Sequence, residues 1–166
     1  MESLCNKIVN YSQFINYINT YTTDKNEKKY LYLSLENFTK KILDGSIIEA
    51  LEKNDEFYGT DIDFLLKDKI NIKIFDINSI QCLLQNPEID LYPIYIYSEP
   101  KDLIKRMLDE NKYSAEDICK MFLNDLQIYN EDNFNFEYNK AIIPFGKEKS
   151  FYIDMLIHKI INIISD

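Results

Sequence analysis

Apolar residues recur at helical spacing in several stretches of the chain, and short β-branched or alternating runs separate them. Leu4, Ile8, Phe14 and Ile15 suggest a short helix near the start. Residues 18–23 (INTYTT) and 30–33 (YLYL) read as strands flanking the polar turn DKNEKK. Ser34 caps a helix whose inward face carries Leu35, Phe38 and Ile42, and Gly45 stands where a C-terminal glycine belongs. Residues 46–52 read as a strand, and Thr60 as the cap of a helix reaching about Lys67. A strand over 70–75 ends at Asp76, and Ile80, Leu83 and Leu84 mark the helix after it. Residues 92–97 (YPIYIY) form another strand, with Pro93 tolerable near its start.

Ser98 caps the next helix, with Leu103, Ile104, Met107 and Leu108 inward. Ser114 caps the one after, with Ile118, Met121, Phe122 and Leu126 inward and Glu116 and Asp117 suiting its dipole. Residues 141–145 are a last short strand, and the apolar stripe from Ile153 to Ile164 defines a terminal helix. Strands alternating with helices from residue 70 onward argue for an α/β fold with a mainly parallel sheet. A chain of 166 residues without a linker or repeat reads as one domain, 1–166, with a strand-rich region at 18–60.

Charge narrows the function classes. The net charge of −9, with both signs mixed along the chain, disfavours nucleic acid, whose binding depends on a basic surface that displaces counterions. Cys5, Cys82 and Cys119 are too few and too widely spaced for a disulfide framework or a metal motif. Cys82 and Cys119 fall among helical apolar positions, which predicts core thiols in a reducing compartment. No signal peptide or 18-residue apolar run is visible, so the expectation is a cytoplasmic protein without a membrane partner. His158, the single histidine, lies off the terminal stripe and reads as solvent-exposed.

Residues 45–60, GSIIEALEKNDEFYGT, collect candidate chemistry: an acid (Glu49) in an apolar strand, a phenol (Tyr58), a flexible glycine (Gly59) and a hydroxyl (Thr60). This stretch resembles, without a gap, the G-E-F-L-E-W-A-E-(x)4-Y-Y-G-T segment of guanylate kinases. Other segments extend the resemblance over nearly the whole chain. Tyr21-Thr22-Thr23 is similar to S-x-T-T-R without the arginine, and YLYLS at 30–34 to Y-x-F-V-S. IKIFDIN at 72–78 is similar to the strand ending in D-I-D, and IYIYSEPKDLIKRML at 94–108 to the strand and helix before the lid.

The resemblance implies a three-layer α/β fold of the P-loop nucleoside monophosphate kinase type with a small strand-rich GMP-binding subdomain. It also implies roles. Glu49 corresponds to the acid that accepts from guanine N1 and N2, a task suited to the two oxygens of a carboxylate. Thr60 and Thr20 correspond to hydroxyls near the nucleotide, and Tyr30 and Tyr58 to phenols on the GMP phosphate. Asp76 corresponds to the acid that helps organise magnesium, and Asn78 to a second guanine contact without a charge.

Phosphoryl transfer depends on a phosphate cradle, magnesium and several cations, and here the sequence departs from the family. No G-x-x-x-x-G-K-[ST] occurs, and the glycines are Gly45, Gly59 and Gly146. In register, the P-loop lysine position falls at Met1, so the P-loop strand is lacking. The arginine after T-T is Asp24, the lid at 109–117 has neither the glycines nor the arginines of G-R-G-T, and Met121 replaces a further arginine. Lys25, Lys28, Lys29 and Arg106 are the remaining candidates for phosphate contacts, and Arg106 is the sole arginine.

The sequence thus favours a degenerate, catalytically inactive guanylate-kinase-like protein that binds GMP, GDP or a protein partner through the former GMP site. Two alternatives stay open. One is an active ATP:GMP phosphotransferase whose P-loop, and with it magnesium, is supplied from outside this sequence. The other is an interaction or inhibitor protein that keeps only the fold. The lost central strand must be replaced by another segment, by upstream residues, or by a second copy in a homo-oligomer, because buried orphan backbone groups each cost about 1–3 kcal/mol.

Overall fold

The computed structural model describes residues 13–142, 154–158 and 160–162. They belong to two compact units that divide between Leu91 and Tyr92. The proposed first helix falls largely outside the described residues, and so do residues 143–145 of the last strand together with Ile153 and Ile164.

In the first unit, strand β1 (Ile15–Tyr17) pairs in parallel with β6 (Ile70–Ile72), Ile15 opposite Ile70. A separate mixed sheet has the order β3-β2-β5-β4, built from β2 (Tyr21–Thr22), β3 (Leu31–Tyr32), β4 (Ile47–Lys53) and β5 (Glu56–Asp61). Of the strand read over 18–23, only Tyr21–Thr22 is a strand, and β1 ends before it, in the other sheet.

Helix α1 (Leu35–Leu43) begins and ends as its sequence dictates. Ser34 Oγ accepts the Asn37 N–H, and Gly45, at φ 78°, turns the chain so that its N–H reaches Ile42 O. Its burial differs from the expectation, because Phe38 alone is buried while Leu35 and Ile42 lie exposed.

Phe38 explains Gly59. A Cβ at residue 59 would sit 2.8 Å from Phe38 Cζ, 3.0 Å from Glu49 O and 3.1 Å from Ile47 Cγ2. The glycine is there to admit the ring against the sheet, and bending plays no part. Gly59→Ala is expected to destabilise the fold by about 2–3 kcal/mol through overpacking. A urea midpoint that is unchanged in the variant would contradict this reading of the packing.

The largest local correction concerns residues 54–61. Asn54 and Asp55 both take positive φ, 54° and 61°, and close a tight hairpin between β4 and β5. Thr60 is thus a strand residue, not a helix cap. Asp61 does the capping instead, accepting the Asp63 N–H at the start of a single 3-10 turn, Ile62–Phe64, and no α-helix runs to Lys67. After β6, Asp76 caps helix α2 (Ile77–Leu83), whose Leu83 is buried against the unit.

In the second unit, β7 (Ile94–Tyr97) pairs in parallel with β8 (Asn139–Ile142). Helix α3 (Pro100–Asp109) starts on Pro100, with Glu99 at the cap position and no side-chain capping bond, so Ser98 does not cap it. Helix α4 (Ala115–Ile128) carries the predicted capping box between Ser114 and Asp117. Met107, Ile118, Leu156 and Ile157 are buried, whereas Leu108 and Leu126, assigned inward by spacing, are exposed. Residues 154–158 and 160–162 are helical, and His158 is exposed as expected. Cys82 in the first unit and Cys119 in the second are exposed, which corrects their assignment to the core.

The pattern is a mixed α/β fold. Parallel pairing occurs as the pairs β1–β6, β2–β3 and β7–β8, and the described strands form three separate sheets rather than one parallel sheet. No helix among the described residues is long and apolar enough to cross a membrane.

Candidate functional site

Glu49 sits just past an irregularity in β4, where Ile47 pairs with Asp61 but Glu49 pairs with Thr60. The extra residue re-aims the strand, as a bulge does, and the carboxylate turns inward. Glu49 is 5% exposed and Thr60 fully buried. A carboxylate taken out of water needs donors, because an uncompensated buried charge is strongly unfavourable.

Three donors reach it. Thr60 Oγ1 donates to Glu49 Oε1 at 2.6 Å, the Lys73 ammonium donates to the same oxygen at 2.7 Å, and Ser79 Oγ donates to Oε2 at 3.0 Å. Lys73 also donates to Thr60 Oγ1. The side chains of Lys73 and Glu49 are 8% and 4% exposed, so the pair is a buried ion pair inside a hydrogen-bonded network. The Phe75 ring lies 4.8 Å from the ammonium and closes it from another side. Burial pushes the Lys73 pKa below the ordinary lysine value, against the pull of Glu49 and Asp76. Desolvation therefore outweighs attraction, and the ammonium is held at some cost.

Of the residues singled out in sequence, Glu49 and Thr60 meet. Asn78 does not join them: it is exposed on α2, and its neighbour Ser79, 6% exposed, makes the inward contact. Asp76 Oδ1 accepts the Ser79 N–H at 2.8 Å and so orients that hydroxyl from the helix cap. Sequence reading passed over Lys73 and Ser79. A signal for Lys73 exists in the lone charge within INIKIF, 70–75.

Tyr30 and Tyr58 come together edge to face, with ring centroids 5.7 Å apart. The Lys29 ammonium is 5.2 Å from the Tyr30 ring and that of Lys25 is 5.6 Å from Tyr32, while Lys28 is exposed. Two of the three candidate lysines thus lie against tyrosines of this edge. The side chain of Asp24 accepts the Asn26 N–H and shapes the intervening turn. Thr20 contributes its backbone, its carbonyl accepting the Leu31 N–H at 2.9 Å. Arg106 belongs to α3 in the second unit, where its charge opposes the burial that raises the Asp125 pKa.

A second buried acid stands beside the site. Asp61, 1% exposed, accepts from the Lys41 ammonium at 2.5 Å, and this bond is the main cause of a raised Lys41 pKa. Lys41→Met would leave Asp61 unpaired. Because the lysine side chain is 28% exposed, the expected loss is about 1–2 kcal/mol rather than that of a fully buried pair. The stabilisation is present below the usual lysine range and is lost as pH rises through the raised folded-state value. Urea midpoints of wild type and variant should therefore converge in strong alkali, and a gap that widens there would contradict the pairing.

Among the described residues no group of three His, Cys, Asp or Glu side chains could hold a metal ion. Asp76 belongs to no such group, and its Oδ1 is taken up by the helix cap.

No protein-family model matches the chain, and no curated protein matches it in sequence. Among solved structures it is similar to the crystal structure of guanylate kinase from Anaplasma phagocytophilum, with a TM-score of 0.60 and 18% identity. That likeness covers 99% of this chain and 80% of the other. The fold is guanylate-kinase-like.

Proposed function

We propose that this chain is a catalytically inactive protein on a guanylate-kinase-like fold, and that it acts by binding a protein partner on the side of the former GMP site. The observation that carries the reading is the commitment of Glu49. A carboxylate offers about four acceptor positions, and Thr60, Lys73 and Ser79 use three of them. Both positions on Oε1 are taken, so a guanine edge, which needs one position on each oxygen, meets an occupied acid.

The same unit presents an apolar surface beside the Tyr30–Tyr58 edge. Leu31, Tyr32 and Leu35 are exposed in succession through β3 and the first turn of α1, and Leu43 at the far end of α1 is 83% exposed. Grouped large apolar side chains of this kind mark contact surfaces. In this reading the molecule is one three-layer domain of the kinase type, cytoplasmic, with no nucleic acid or membrane as partner.

A second reading, binding of GMP or GDP, draws on the Tyr30–Tyr58 pair with Lys29 nearby, an arrangement able to hold a phosphate, and it requires Lys73 to leave Glu49 so that the base can enter. The two are separated by titrating the folded protein with GMP and GDP and by a coupled assay with ATP and GMP. Neither heat nor turnover is expected. Heat without turnover would favour the nucleotide reading, and turnover would overturn the inactive assignment.

A further inference from the structure

We infer that Lys73 is an internal stand-in for a ligand: its ammonium occupies the place on Glu49 that a planar pair of N–H donors would take, and keeps such donors out. The inference rests on reading the Glu49 side of the fold as its recognition site.

The bonding pattern carries it. Thr60 and Ser79 each donate to one oxygen of the carboxylate, from β5 and from α2, and so leave one acceptor position on each oxygen. That is the pattern a forked donor pair fits, since two parallel N–H bonds to the two oxygens are the strongest way to address a carboxylate. Lys73 takes the Oε1 position and closes the fork. A lysine is a compact point charge and does not reproduce the planar pair. It shares its donors between Glu49 Oε1 and Thr60 Oγ1 instead of spanning both carboxylate oxygens. Its lowered pKa is consistent with an occupant that burial opposes.

Cutting Lys73 back to alanine removes Cγ, Cδ, Cε and Nζ, and a guanidinium ion has the same number of heavy atoms. The unmasked site should therefore accept a guanidinium group. A guanine base presents the same paired donors on a larger frame and enters only if there is room beyond the vacated volume. The shared chemistry is the planar N–H pair, and the two probes distinguish its sources.

The test compares wild type, Lys73→Ala and Lys73→Ala/Glu49→Gln by calorimetry and thermal melting, using millimolar guanidinium and GMP, with tetramethylammonium and AMP as controls. Lys73→Ala is expected to bind guanidinium, GMP or both at least tenfold more tightly than wild type, and the double variant to lose that gain. Guanidinium alone would identify an arginine-like group as the source, and GMP a nucleobase. If Lys73→Ala does not fold unaided, circular dichroism replaces the melting curve. Folding restored by guanidinium but not by tetramethylammonium supports the inference, and no restoration overturns it. A folded Lys73→Ala that binds neither probe, or a wild type that binds GMP equally well, also overturns it. Turnover of GMP by the wild type would contradict both the inactive assignment and this inference, whereas silence from Lys73→Ala contradicts only this inference.

Discussion

Replacing Glu49 with alanine is expected to destabilise the protein by about 3–5 kcal/mol, the usual loss when one member of a buried ion pair is removed. The loss would come mainly from what is left behind. The Lys73 ammonium, 8% exposed, would keep Thr60, the Phe75 face and the charge of Asp76, none of them an ion pair in contact with it. Ser79 and Thr60 would each lose the acceptor they now address. Lys73→Met in the same background should recover much of that loss, because deleting both charges removes the orphan. The double-mutant cycle read from urea denaturation then measures their coupling. A Glu49→Ala variant within 1 kcal/mol of wild type, as expected on general grounds for an exposed carboxylate, would show that the network does not hold the site together.

A second large effect concerns catalysis. With ATP, GMP and magnesium, the rate of phosphoryl transfer is expected not to exceed the background without protein, whereas enzymes typically accelerate their reactions by about a millionfold or more. Phosphoryl transfer is achieved by positioning and by neutralising charge on the transferred group. This sequence holds no phosphate-binding loop and one arginine, and its Asp24 stands where the resemblance calls for a cation. The structure adds that Asp76 is engaged as a cap and that Arg106 interacts with Asp125 in the second unit. A coupled assay showing saturable turnover would overturn the proposed inactivity.

Local signals in the sequence were strong where a single turn of chain decides the outcome. Ser34 and Gly45 bracket α1, and Ser114 with Asp117 opens α4, because caps are satisfied within a few residues. The hairpin at Asn54-Asp55 was hidden because it lacks the Asn-Gly or Asp-Gly pair, and the following Thr-Asp-Ile-Asp-Phe-Leu-Leu imitates a capped helix. Glu49 and Thr60 were legible through the resemblance, which preserves their spacing.

Lys73 and Ser79 were not legible, because their roles depend on contacts 24 and 30 residues away from Glu49 in sequence. A lysine alternating with isoleucines reads as the wet side of a strand, and only the inward turn of Glu49 makes that side a polar interior. Leu35, Ile42, Leu108 and Leu126 show the opposite limit. Spacing places them on helical faces, but it cannot say whether anything covers those faces.

The central claim is that Glu49 is committed to Lys73 and not held ready for a ligand. Calorimetric titration of the folded wild-type protein with GMP tests it most directly. The prediction is no saturable heat, with or without ATP. A one-to-one isotherm that disappears in Glu49→Gln would contradict it and would return the site to nucleotide recognition.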